Sequence, residues 1–142
     1  MPACTMCGFN PEREPVATWK VEAVGWLPSQ NNLGGNHKTG FKYRNIRRNF
    51  EKTLADQLNA IPRATKFREA IITRQFGKTK HGRWCRPYDH ANLVGGAKPL
   101  VDTLKAFAVI LDDRDDTFRG HYRQERSADG VDRYNILLME YA

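Results

Sequence analysis

The sequence predicts a single α+β domain: a mixed β-sheet carrying two principal helices, in the order β-α-β-α-β-β. Two segments have apolar residues at helical spacing, and four others read as strands separated by turn residues. At 142 residues the chain fits one domain large enough to bury a core. Residues 1–17 carry Pro2, Pro11 and Pro15 with few apolar residues, so they are expected to form an N-terminal extension. The domain is then residues 18–142.

The first strand begins near Trp19, where Trp19, Val21 and Ala23 alternate with Lys20, Glu22 and Val24 as in a strand with one buried face. The run Leu27-Pro28-Ser29-Gln30-Asn31-Asn32-Leu33-Gly34-Gly35-Asn36 is a loop by its turn chemistry. The first helix is expected from about Lys42 to Asn59, with Tyr43, Ile46, Phe50, Leu54 and Leu58 on its core face and Ile61-Pro62 as its stop. Its other faces carry Arg44, Arg47, Arg48 and Lys52, which suit either solvent or phosphate.

A second strand, about Lys66 to Phe76, centres on Ala70-Ile71-Ile72. A basic stretch follows: Arg74, Lys78, Lys80, His81, Arg83 and Arg86, with Trp84 and Tyr88 interleaved and Gly77 and Gly82 as bends. It reads as a loop that grips a nucleic-acid backbone and stacks on a base, or as a polar loop with Trp84 tucked into the core. The second helix is expected from about Lys98 to Ala108, with Pro99 in its first turn and Gly95-Gly96 loosening the approach to it. Two strands close the chain, about Thr117–Glu125 and Val131–Tyr141, and Asp129-Gly130 between them signals a hairpin.

The formal charge is +7, from 23 Lys+Arg against 16 Asp+Glu, with the surplus spread from Lys38 to Arg126. Such a surplus suits a polyanion, whose counterions Lys and Arg displace, or plain solubility. No apolar run approaches the roughly 20 residues that span a bilayer. The first ten residues lack a basic start followed by an apolar run, and three cysteines are too few and odd in number for a disulfide framework. A cytoplasmic, reducing setting is expected.

The chemistry-bearing residues cluster between Tyr88 and Asp113. Asp89 precedes the second helix and Asp112-Asp113 follow it; Lys98 and Asp102, four apart, share one face. Hydrolysis of a phosphodiester calls for a hard cation, and Mg²⁺ takes one or two carboxylates together with substrate oxygens and water. A neighbouring lysine steadies the charge that develops on the phosphate. The alternative is a solvated acidic turn at Asp112, Asp113, Asp115 and Asp116. Those acids stand at the unfavourable end of a helix dipole, which costs stability and hints at use. Cys4-x-x-Cys7 has half of a zinc-knuckle spacing, and two ordinary thiols is the simpler reading. His37, His81, His90 and His121 share no spacing, and no P-loop, nucleophile elbow or dinucleotide fingerprint occurs.

The stretch Asp89, Asn92, Leu93, Lys98, Asp102, Leu104, Leu111, Asp112 and Asp113 resembles the RusA family of Holliday junction resolvases. That family's pattern is an Asp-x-Asp-Asn-Leu segment, a lysine, an Asp-containing helix, and a hydrophobic residue followed by Asp-Asp. Leu27-Pro28-Ser29-Gln30-Asn31-Asn32 resembles its Pro-Ser-x-Asn loop, and the element order agrees over about residues 19–142. The resemblance implies a homodimer that binds four-way DNA junctions and nicks two opposing strands with Mg²⁺, in recombination or repair. It implies Asp89 and Asp113 as metal ligands, Lys98 as the catalytic lysine, and Asn92, Asp102 and Asp112 as supporting residues. DNA contacts are expected from Lys78, Lys80, Arg83, Arg86, Asn31 and Asn32. Two features depart from the pattern. Ala91 stands where its second Asp belongs, and Val94-Gly95-Gly96-Ala97 lengthens the gap to Lys98. Ala91 opens the alternative of a branched-DNA-binding protein with a degenerate metal site.

Overall fold

The computed structural model describes residues 10–33 and 39–142. Helix α1, Thr39–Asn59, runs 21 residues because Phe50, Leu54 and Leu58 recur along one face and are all buried. Strand β1 is Ala17–Val24 and β2 is Arg68–Phe76; a short helix α2, His90–Gly96, leads into α3, Lys98–Ala106; β3 is Phe118–Arg126 and β4 is Arg133–Glu140. A 3-10 turn at Gln30–Leu33 sits between β1 and α1. The chain is thus a single α+β domain with a four-stranded mixed sheet and two principal helices, α1 and α3.

The sheet order is β1-β4-β2-β3, with β2 and β3 parallel and the other pairs antiparallel. Both helices cover one sheet face. There Val21, Ile72, Ile136 and Leu138 meet Phe50, Leu54, Leu93, Leu100 and Leu104 in one core. Phe50 packs edge-on against Tyr134 with ring centres 5.4 Å apart. On the other face a smaller group gathers Ile71, Met139 and Tyr141. Beside them His121 and Glu69 form a buried pair at 2.8 Å, and the Arg13 guanidinium lies 4.0 Å above the Tyr141 ring. Among the described residues, no helix is long and apolar enough to cross a membrane.

The hairpin expected at Asp129-Gly130 is not formed: β3 and β4 are not neighbours, because β2 lies between them. β2 is the most buried strand, with only Thr73 and Gln75 partly exposed, so it takes a central place. The turn instead bridges across the end of β2. Lys78 N–H donates to Gly130 O at 2.7 Å, Gly77 N–H to Asp132 Oδ1 at 2.7 Å, and Ser127 N–H to Phe76 O at 2.9 Å. The α2–α3 segment makes the crossover that a parallel β2–β3 pair requires. At the opposite edge, Gln57 of α1 holds Glu22 of β1 by both backbone groups, at 3.0 and 2.8 Å, and so blunts an edge strand.

Several cations are structural. Arg68 is buried, donates to Pro62 O, Val109 O and Glu140 Oε1, and lies 4.4 Å above Trp19. Arg74, first of the basic stretch, is also buried; it stacks 3.5 Å above the Tyr88 ring and donates to Gln124 Oε1.

Gly95 and Gly96 have a different role from the one expected. They lie inside α2 and let the Pro28–Ser29 backbone and the Gln30 side chain press against it. A Cβ on Gly96 would stand 1.9 Å from Pro28 O, and one on Gly95 would stand 2.7 Å from the Gln30 side chain. Because the obstacle at Gly96 is backbone, it cannot swing aside. Gly96→Ala is expected to lower stability by about 3 kcal/mol, the upper end of the range for overpacking. Urea denaturation checks this, and a loss below about 1 kcal/mol would contradict the close packing.

Candidate functional site

Two chain segments far apart in sequence meet where Pro28–Gln30 rests on α2. In the loop, Asn32 Oδ1 accepts from Ser29 N–H at 2.9 Å and from Ser29 Oγ at 2.7 Å, which shapes the 3-10 turn. Asn32 therefore has a structural task, while Asn31 is exposed. At the start of α2, Asp89 is the N-cap. Its Oδ1 accepts from Asn92 N–H and its Oδ2 from Asn92 Nδ2, both at 2.9 Å. Ala91 and His90 are exposed on the first turn of α2.

Lys98 opens α3 beside Pro99. Its ammonium pairs with Asp102 Oδ1, one turn on, at 3.1 Å, and with Asp113 Oδ2 from the loop after the helix. Asp102 also accepts the hydroxyl hydrogen of Tyr43 from α1. The result is a chain of contacts, Tyr43–Asp102–Lys98–Asp113, that ties α1, α3 and the Asp113 loop together. Burial pulls the Lys98 ammonium down, but its hydrogen bonds to Asp113 and Asp102 outweigh that, so its pKa is raised and it stays charged. Burial, then the hydrogen bond to Asp102, push the Tyr43 hydroxyl well above its usual range.

Asp112 points elsewhere. It pairs with Lys105 at 3.1 Å and with Arg114 at 3.7 Å, and its Oδ1 accepts from Asp113 N–H at 2.8 Å. Thr117 Oγ1 donates to Asp112 O at 3.0 Å, which closes the loop that presents Asp113.

Beside the Lys98–Asp113 pair lies a cleft of about 650 Å³ whose lining includes Tyr43, Gln30, Arg119 and Tyr122. Asp89 does not line it. The structure thus brings Lys98, Asp102 and Asp113 together and leaves Asp89 with Asn92. Lys78, Lys80, Arg83 and Arg86 are exposed on a tight turn closed by Thr79 N–H to Arg83 O and Cys85 N–H to Gly77 O. Trp84 is half-buried there, with the Lys78 and Arg126 cations 5.1 and 5.0 Å from its ring centre. The sequence marks Tyr43 as a core residue and Gln30 as part of a loop, and gives no signal for Tyr122 or Arg119 at the site. Tyr43 has the spacing of the core stripe but is half-buried at the cleft, outside the core, and nothing local in the sequence ties it to Asp102.

Among the described residues, no group of three or more His, Cys, Asp or Glu side chains could hold a metal. Cys4, Cys7 and His37 lie outside the described residues. Asp102 and Asp113 do converge on one cation position, filled by the Lys98 ammonium. Asp102 is taken up by Lys98 and Tyr43, which leaves the Asp113 carboxylate; one hard carboxylate fits a Mg²⁺ that takes its other ligands from phosphate and water, not a cage made by protein alone. No protein-family model and no curated protein matches the chain.

The Asp112 carboxyl is held down at about 2, first by its hydrogen bond from Lys105 and next by the Asp113 N–H. A lowered carboxylate stabilises the fold above its unfolded-state pKa, and that contribution fades as pH falls toward the folded value. Lys105→Met is expected to raise the Asp112 pKa toward the ordinary range. Carbon-detected NMR titration reads this directly; a value still near 2 in the variant would contradict the assignment.

Proposed function

We propose that this chain is a RusA-like, Mg²⁺-dependent endonuclease that nicks four-way or otherwise branched DNA, acting as a homodimer in recombination or repair. The observation that carries the reading is the Lys98 ammonium held between Asp102 and Asp113 at a cleft, in a chain of charge +7.

The residues divide the work. The exposed cations Lys78, Lys80, Arg83 and Arg86, with Asn31, contact the sugar-phosphate backbone and set the protein's place on the DNA. Lys98 meets the scissile phosphate and steadies its developing charge; Asp102, itself held by Tyr43, keeps the ammonium aimed. Asp113 is the carboxylate that would hold the metal together with a DNA phosphate, and Asp89 joins it through the sequence resemblance alone. When bound, Mg²⁺ supplies charge neutralisation on the phosphate oxygens and a more acidic water. Asp112 keeps the Asp113 loop closed.

A second reading is favoured by one feature. Ala91 replaces an expected carboxylate, and Lys98 already neutralises Asp102 and Asp113. The chain would then bind branched DNA without cutting it.

A synthetic four-way junction with Mg²⁺ separates the two. Paired symmetric nicks are expected, abolished by EDTA. Asp113→Asn should slow cleavage by about 100-fold or more with junction affinity kept within about threefold, and Lys98→Met should slow cleavage by as much. Tight, salt-sensitive binding without nicks would establish the second reading, and no preference for branched over linear DNA would overturn both.

A further inference from the structure

The cleft is much larger than the Lys98–Asp113 ion pair that lines it, and its lining is both charged and apolar. Lys98 and Arg119 bring two cations to it, and Asp113 and Asp115 two carboxylates. Leu33, Val94, Val101, Phe118 and the Tyr122 ring supply its apolar surface. Two side chains are held in place by glycines. The Gln30 side chain rests on Gly95, where a Cβ would come within 2.7 Å of its Cδ and Oε1. The phenol of Tyr122 lies over Gly120, where a Cβ would come within 2.6 Å of its hydroxyl oxygen. A side chain at position 120 would displace the Tyr122 ring from this place.

An aromatic ring, an amide and two cations lining one cleft make a specific combination. A nucleotide has the complementary features: a π-face for the ring, a hydrogen-bonding edge for the amide, and a phosphate for the cations. A volume of about 650 Å³ accommodates one nucleotide. A paired base inside a duplex cannot enter such a cleft, but a base at a branch point costs less to unstack.

We infer that the cleft is a nucleotide subsite that receives one unstacked DNA base at the branch point. The base lies against Tyr122 and the apolar surface, the Gln30 amide reads its edge, and Arg119 and Lys98 face its phosphate. The inference rests on the branched-DNA reading above and adds a source of both branch selectivity and base preference to it.

The test uses the full chain in EDTA and two fluorescent four-way junctions, one intact and one with abasic residues at the branch point. The intact junction should bind about tenfold more tightly, the range that base–aromatic stacking supplies. Tyr122→Leu and Gln30→Ala should each reduce that preference to about threefold or less while leaving affinity for the abasic junction unchanged. Gln30 is exposed, so its replacement does not threaten the fold. Equal binding of the two junctions by the parent protein would overturn the inference, as would variants that keep the preference. If the parent nicks the intact junction in a parallel Mg²⁺ assay yet shows no binding preference in EDTA, only the subsite fails. If it binds neither junction, the branched-DNA reading fails with it.

Discussion

The close approach of Pro28 to Gly96 is the constraint on which the site depends. It presses the loop after β1 onto the short helix before α3, so the first and middle thirds of the chain share one surface. Gln30 arrives at the cleft from the loop, and Lys98 arrives from the first turn of α3, two residues beyond Gly96. The parallel pairing of β2 with β3 then returns the chain so that Asp113, Arg119 and Tyr122 face them. With Tyr43 from α1, the cleft is therefore assembled from four separate segments, and a side chain at Gly96 would push the loop away from the helix.

The charges fall into two groups with different physics. Arg68 and Arg74 are buried, hydrogen-bonded and stacked on aromatic rings, and they belong to the fold. The cations at Lys78, Lys80, Arg83 and Arg86 are exposed, where ion pairs contribute little to stability and a polyanion gains most. Lys98 stands between these groups. Its pairs with Asp102 and Asp113 are half-exposed, so their value lies in placing a charge more than in stabilising the fold.

Element types and order were legible because each is written locally. The spacing of Phe50, Leu54 and Leu58 specifies a helix, and the alternation of Trp19, Val21 and Ala23 specifies a strand. Strand neighbours were not legible in the same way. Asp129-Gly130 encodes a turn, but whether its flanking strands pair depends on where β2 must be buried. The same limit applies to the site. Lys98–Asp102 follows from a spacing of four, whereas Lys98–Asp113 spans 15 residues and Tyr43–Asp102 spans 59. Gly95-Gly96 reads locally as looseness and acts in the fold as a contact surface, a difference visible only once Pro28 is in place.

The central claim is that Asp113 presents a carboxylate to a metal ion shared with DNA. A crystal structure of the protein bound to a four-way junction and soaked with Mn²⁺ in place of Mg²⁺ tests it most directly. The account predicts an anomalous peak bonded to an Asp113 carboxylate oxygen and a phosphate oxygen, with Lys98 turned from Asp113 toward that phosphate. It would also show whether Asp89 shares the ion. Bound DNA with no metal at Asp113, and Lys98 still paired to it, would contradict the account.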